Sequence, residues 1–600
     1  MGQNVSKRCP HSDRNGDNLF ERARRDARYS IDSSVALFAR CAVAARVVWL
    51  SGAFVAAVLV ATDPASRVAR PGEAGDQMAG LLDITEPDLN EPLLQPGSNL
   101  NHAHNGQTTP VHLKCANSIA CENLLPGASP REWSTAGPGD SSILGFATEQ
   151  SVNVGSTVRF KINTTAKSYH IDIFRIGWYR GNGARKIASA LRPLTAPPHA
   201  QPACLIDKSN TTGLIDCGNW SESASWAVPN SAVSGVYFAR LVRDDNGGSS
   251  YIFFRVRDDA SRSDIVYQTS DTTDAAYNLY GGNSLYRCKV ACPPVAPTGN
   301  NGAFKVSFNR PVITTSPVAG SSKKIFSFFY AEYQLVQFLE ANGYDVTYIS
   351  GVDTDRFGPM LKHHRVFISS GHDEYWSGLQ RANVESARDA GVNLAFFSGN
   401  EVFWKTRYEN SIDGSHTPYR TLVTYKETQW NAVRDPLDPP IWTGTWRDAR
   451  FSPPADGGRP QNALTGMLYS VNGPSNFPIQ VPAADGKMRF WRNTTIAALP
   501  SNQTATLAPN TIGSEWDEDV DNGVRPAGLF HLSTTTEPVD KHLVDYSITQ
   551  VPGVATHHLA LYRAHSRALI LGPARCSGLG ASKAVPTARV RSTFACNKPP

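Results

Sequence analysis

The 600-residue chain is 41% hydrophobic, 18% charged and 10% aromatic, enough apolar material for a sizeable core. Those proportions exclude disorder throughout, a collagen-like repeat and a multi-span membrane protein. Lys and Arg number 58 against 53 Asp and Glu, a net charge of +5 that is too small and too dispersed to point to nucleic acid.

Length alone allows about four domains, but stretches unfit to fold reduce the expectation to two. Residues 1–46 are polar and basic, with Arg22, Arg24, Arg25 and Arg28 clustered. Val47 to Ala61 is an apolar run of 15 residues, short of the ~20 that span a bilayer. It reads as the core of a signal peptide or as a signal anchor, with the basic flank kept in the cytoplasm and the rest exported or held at the membrane by this segment alone. Met1 to Ser6 also matches the N-myristoylation pattern. Of ten cysteines, eight fall as close neighbours: Cys115/Cys121, Cys204/Cys217, Cys288/Cys292 and Cys576/Cys596. After a secretory signal this reads as four disulfides, although spacing does not prove the connectivity. Asn163, Asn210, Asn219, Asn493 and Asn502 begin glycosylation sequons.

Residues 63–140, rich in Pro, Gly, Asn and Asp, read as a linker whose end Cys115 and Cys121 staple. Over 143–258 the period becomes two. Val158/Phe160/Ile162, Ile171/Ile173, Val236/Phe238 and Ile252/Phe254/Val256 alternate with polar residues, and Gly181-Asn182-Gly183 supplies a turn. Short strands without a long amphipathic helix predict an immunoglobulin-like β-sandwich.

From 262 to 600 the pattern is α/β. Leu335, Val336, Phe338 and Leu339 sit at helical spacing before Gly343; Tyr344–Ser350, Arg365–Ser370 and Asn393–Ser398 are strands; Ser377–Ala390 is a helix stopped by Gly391. This alternation predicts right-handed βαβ units around a parallel sheet.

Such sheets place ligands beyond the carboxyl ends of their strands. Two polar-aromatic loops fall there, Gly371 to Trp376 (GHDEYW) and Gly399 to Trp404 (GNEVFW). Ending a buried strand with His372, Asp373, Glu374 and Tyr375 is costly for structure alone. The plainer alternative has Asp373 or Glu374 capping the next helix while Tyr375 and Trp376 pack the core. In the acidic stretch Glu515 to Asn522 the spacing does not match an EF-hand loop, and Glu515 is the member expected to face inward. His557 and His558, adjacent in an extended segment, point to opposite faces; His363 and His364 are expected at the surface. The chain lacks GxGxxG after a strand, a P-loop, HExxH and GxSxG, so dinucleotide enzymes, P-loop NTPases, zincins and ordinary α/β-hydrolases lose support.

Five ordered motifs over roughly 143–565 (the GFATEQ…RIGWYRGNGARK stretch, GHDEYWS, AFFSGNEVFWKTRYE, GSEWDEDVDNG and ATHHLALYRA) resemble the N,N-dimethylformamidase large (beta) subunit-like family. The resemblance implies a β-sandwich before an α/β domain akin to class I glutamine amidotransferases. It also implies a mononuclear iron, held by two tyrosines and a glutamate, that hydrolyses small amides with the help of a small partner subunit absent from this chain. Carried over by position, Tyr375 and Glu515 are ligands, and His372 or Glu374 is the acid/base. Phe403 stands where a tyrosine would be the second ligand; Tyr330, Tyr333 or Glu401 is then the substitute, Tyr333 first among them. Three functions follow: an exported iron-dependent amide hydrolase, an exported binding protein that kept the fold and lost the iron, and a metal-free hydrolase using Glu374 and Glu401. The substrate is left unidentified and homo-oligomerisation open.

Overall fold

The computed structural model describes residues 115–135, 139–209, 211–294, 301–313, 328–427, 433–438, 440–450, 457–473, 477–509, 511–513, 515–546 and 549–572. The basic leader, the apolar run 47–61, residues 63–114 of the expected linker, Asn210, Cys9, Cys41 and the Cys576/Cys596 pair lie outside the described residues. Among the described residues no helix is long and apolar enough to cross a membrane.

Strong alternation produces two facing sheets. Ile143–Ala147, Thr157–Thr164 and Ala224–Ala227 form an antiparallel three-stranded sheet. The second has five strands in the order Ser151–Asn153, Ser249–Arg257, Gly235–Arg243, Tyr169–Ile176, Ala184–Leu191. Val158, Phe160 and Ile162 from one meet Ile171, Ile173, Leu241 and Phe254 from the other in one core. The five-stranded sheet is buried on both faces, because Phe174, Ile176, Phe238 and Tyr251 on its far side pack with Tyr267, Val336, Leu339 and Tyr348.

The central sheet runs Val346–Ser350, Ile265–Thr269, Val366–Ser370, Asn393–Phe397, Leu569–Leu571, Ala560–Arg563, Phe530–His531. Its first five strands are parallel and the last two are antiparallel additions, so the sheet is mixed rather than purely parallel. A four-stranded sheet (Lys305–Ser307, Thr421–Val423, Trp404–Glu409, Tyr375–Ser377) and a closed four-stranded barrel (Leu468–Asn472, Glu515–Glu518, Gln550–His557, Thr535–Leu543) complete the α/β part.

One buried ion pair ties the two parts together. Arg175, on the five-stranded sheet, makes two 2.9 Å bonds to Glu340 on the helix Tyr333–Ala341, and neither side chain reaches solvent. Tyr348 and Asn123 donate to the same carboxylate at 2.9 and 2.8 Å, so its charge is fully compensated. Asn123 lies on the helix Ser118–Leu124, within the segment expected to be a linker. Residues 115–135 thus pack onto the fold, because Glu122 and Asn123 bond Tyr179, Arg185 and Glu340. Disulfides join Cys115 to Cys121, Cys204 to Cys217 and Cys288 to Cys292.

Candidate active site at the carboxyl ends of the central strands

The strand Val366–Ser370 ends at Gly371, whose φ is +93°. A Cβ there would lie 2.7 Å from both Glu332 Cγ and Ser270 Oγ, so only glycine makes this turn. The turn carries His372, Asp373 and Glu374 across the sheet end and into the short strand Tyr375–Ser377. The neighbouring parallel strand Asn393–Phe397 delivers the second loop beside the first. Three backbone bonds stitch the loops: Val402 N–H donates to Asp373 O at 3.1 Å, and Phe403 and Trp404 N–H donate to Glu374 O at 3.0 and 2.9 Å. They hold Asn400 and Val402 at φ +58° and +54°, costly backbone for a β-branched residue and of the kind concentrated at working sites. A Cβ on Gly399 would lie 2.2 Å from the backbone oxygen of Glu515. The bare glycine lets the barrel strand Glu515–Glu518 lie directly on the loop.

Glu515 therefore reaches the first loop. His372 Nε2 lies 3.0 Å from Glu515 Oε2 and 3.4 Å from Glu374 Oε2. The other ring nitrogen, Nδ1, is 3.2 Å from Gly399 O and so acts as a donor. A proton or another cation is needed where Nε2 and the two carboxylates converge. Asn400 Nδ2 donates to Glu515 Oε2 at 3.1 Å, and its backbone N–H donates to Asp517 at 3.2 Å.

Phenols surround Glu374. Tyr277 and Tyr286, stacked at 4.3 Å, donate to it at 3.2 and 3.1 Å. Tyr375 O–H contacts the Tyr286 hydroxyl and accepts from Lys426 Nζ at 2.9 Å. The Lys426 ammonium stands 3.4 Å from the Tyr286 ring centre and 4.7 Å from that of Trp404. Burial pushes it down to about 7, against the pull of Glu374 and Glu515. Burial, then the negative charge of Glu374, raises Tyr277, Tyr286 and Tyr375 well above the usual phenol value. Tyr469 is raised too, by burial and then Glu515. These hydroxyls are donors unless a cation replaces their protons.

The structure brings His372, Glu374, Tyr375 and Glu515 together and leaves Tyr333 out. Tyr333 packs on Phe329 and Trp133, at 5.7 and 6.4 Å, with its hydroxyl over Gly183. As a substitute ligand it is corrected: its helix turns it into the apolar cluster beneath the five-stranded sheet. Glu401 faces Ser369 at 3.3 Å, and Phe403 packs edge-on against Tyr469 at 5.1 Å. The tyrosines beside Tyr375 are instead Tyr286, Tyr277 and Tyr469. The next helix is capped by Ser377, not by Asp373 or Glu374. Asp373 bonds Ser369 at 2.8 Å and Gln268, and burial raises its carboxyl. Trp376 fills the core beside Phe367 and Phe396.

Two histidine expectations have different outcomes. His557 packs against Trp516 while His558 stacks on His531. His364 is buried and bonded to Ser263 O at 2.7 Å, so only His363 of that pair is at the surface.

Among the described residues no three or more His, Cys, Asp or Glu side chains gather as an ion cage. Any metal would take phenol oxygens as well. A family model described as N,N-dimethylformamidase beta subunit-like, C-terminal, matches residues 170–572. The chain belongs to that family. The match includes all the residues of the cluster, and the family's description is of one subunit of an enzyme. No curated protein matches the chain.

Proposed function

We propose that the protein is an exported hydrolase of carbon–nitrogen bonds in small, non-peptide amides, with iron at the tyrosine–carboxylate cluster. One observation carries the reading. In a chain of the dimethylformamidase family, His372 lies 3.0 and 3.4 Å from two glutamates, beside the touching phenols of Tyr286 and Tyr375. The donors fit the ion: carboxylate, phenol and imidazole suit iron, and the hydroxyls of Tyr286 and Tyr375 meet beside Glu374. Tyr375, Glu515 and Tyr286 would hold it, and it would supply Lewis-acid polarisation of the amide oxygen. His372 and Glu374 do the proton work. Gly399 O fixes the imidazole through Nδ1, leaving Nε2 to exchange a proton with Glu374. Water adds to the amide carbon, the carbon–nitrogen bond breaks, and the proton released by water leaves on the amine.

On this reading the two-sheet unit, 143–258, is immunoglobulin-like, and the described residues from 262 to 572 form a glutamine-amidotransferase-like domain. Export rests on the apolar run 47–61 and the disulfides, and a small partner subunit on the family's description. A second reading, a surface binding protein without iron, is favoured by Lys426, whose ammonium already supplies positive charge at Tyr375.

The test is release of formate from formamide and its N-alkyl derivatives by the full chain. Hydrolysis that falls at least 100-fold in both Glu374→Gln and Glu515→Gln, with unchanged circular dichroism, supports the enzyme. A folded protein that neither hydrolyses a small amide nor binds iron, or a fully active Glu374→Gln, refutes it.

A further inference from the structure

A cleft of about 570 Å3, its mouth included, lies between the five-stranded sheet and the helix Asp271–Tyr277. Its helical wall is Asp271, Asp274, Ala275 and Asn278, one stripe at helical spacing. Thr273 and Tyr277, which bond Glu374 and its backbone, lie on another face of the same helix. The cleft is therefore separate from the tyrosine–carboxylate cluster.

Four charged side chains line it. Arg310 donates to the carbonyls of Ser307, Tyr280 and Asn283, whereas Arg255, Asp271 and Asp274 each keep a buried polar atom without a partner among the described residues. Arg255 alternates with Ile252, Phe254 and Val256 along its strand, so it points away from the sandwich core, with Tyr251 and Phe253. It is 3% exposed, and its Nε donates to nothing among the described residues. Facing it, Asp271 is likewise 3% exposed; its Oδ1 accepts from Gly351 N–H at 2.7 Å, but Oδ2 accepts nothing. Asp274 Oδ1 is also buried without a donor. Burial raises the carboxyl of Asp271 and lifts that of Asp274 to about 8, while the positive charge of Arg255 pulls both down without bonding to either. Buried polar atoms left without partners around one cavity are rare in native folds and call for a ligand that completes them.

We propose that this cleft binds a free α-amino acid with an apolar side chain. Its carboxylate meets the guanidinium of Arg255, its ammonium sits between Asp271 and Asp274, and its side chain lies on the rings of Tyr251, Phe253 and Phe308. A lone cation would leave Arg255 bare, and a lone anion would leave both carboxylates bare. Asp271 and Asp274 are only two acidic groups, short of the roughly six to eight oxygens that a calcium-like ion takes. Because the helix Asp271–Tyr277 also carries Tyr277, an occupied cleft would brace one wall of the neighbouring cluster.

Calorimetric titration of the full-length protein with L-phenylalanine tests the proposal without mutation. A single saturable site is expected, weakened at least tenfold for N-acetyl-L-phenylalanine, which lacks the cation, and for L-phenylalaninamide, which lacks the anion. Asp274→Asn should weaken binding similarly, and Gly473→Ala, whose methyl group would meet only Lys541, should leave it unchanged. No binding of L-phenylalanine at millimolar concentration, equal binding of the three ligands, or unweakened binding in Asp274→Asn would overturn it.

Discussion

Replacing Gly399 by alanine tests how the site is assembled. The new methyl carbon would lie 2.2 Å from Glu515 O, 3.0 Å from Glu515 C and 3.3 Å from Asp517 Oδ2. A carbon–oxygen contact needs more than 3 Å, so the strand Glu515–Glu518 must retreat by about 1 Å, an overpacking cost of about 1–3 kcal/mol. The same retreat carries Glu515 Oε2 away from His372 and Asn400, now 3.0 and 3.1 Å distant, beyond the range of a useful hydrogen bond. Urea denaturation and formate release should therefore fall together. Gly473→Ala is the control, since its nearest neighbour would be Lys541 Cδ at 3.7 Å, and it should stay within about 0.5 kcal/mol of the parent. A Gly399→Ala protein with parental stability and activity would refute the proposed dependence of Glu515 on this contact.

Two other perturbations bear on the fold. Glu340→Ala strands the buried Arg175 guanidinium and should cost about 3–5 kcal/mol in chemical denaturation; a loss under about 1 kcal/mol would contradict the buried pair. His557 is held down to about 3, from 6.5, by burial and then by His558. Below pH 6.5 the unfolded chain takes up the proton that the folded chain refuses, so stability falls with pH by up to about 1.4 kcal/mol per unit. Compared with His557→Gln, the parent should lose about 2 kcal/mol between pH 6.5 and 5, and a difference independent of pH would refute the burial of a neutral imidazole.

What could be read in the sequence followed from periodicity. Alternation at Val158/Phe160/Ile162 and Ile252/Phe254/Val256 marks strands with one face in a shared core, and the structure has them there. The placing of GHDEYW and GNEVFW on adjacent parallel strands follows from the βαβ rule. Ile265–Thr269 escapes the same reading because all five of its residues are buried, which removes the alternation. Recognising it would have pointed to Tyr277 and Tyr286, which follow its carboxyl end as the two loops follow theirs. Lys426, a single lysine after Thr421–Val423, carries no sequence signal; only the fold brings it to Tyr375. Tyr333 failed as a ligand because proximity to a helix start says nothing about which way that helix faces.

Bound metal and the visible spectrum of the purified full-length protein test the central claim most directly. The account predicts about one iron per chain, with a tyrosinate-to-iron charge-transfer band that weakens or disappears in Tyr375→Phe. A folded, colourless protein that binds no iron when the metal is supplied, or a band and iron content unchanged by Tyr375→Phe, would contradict it.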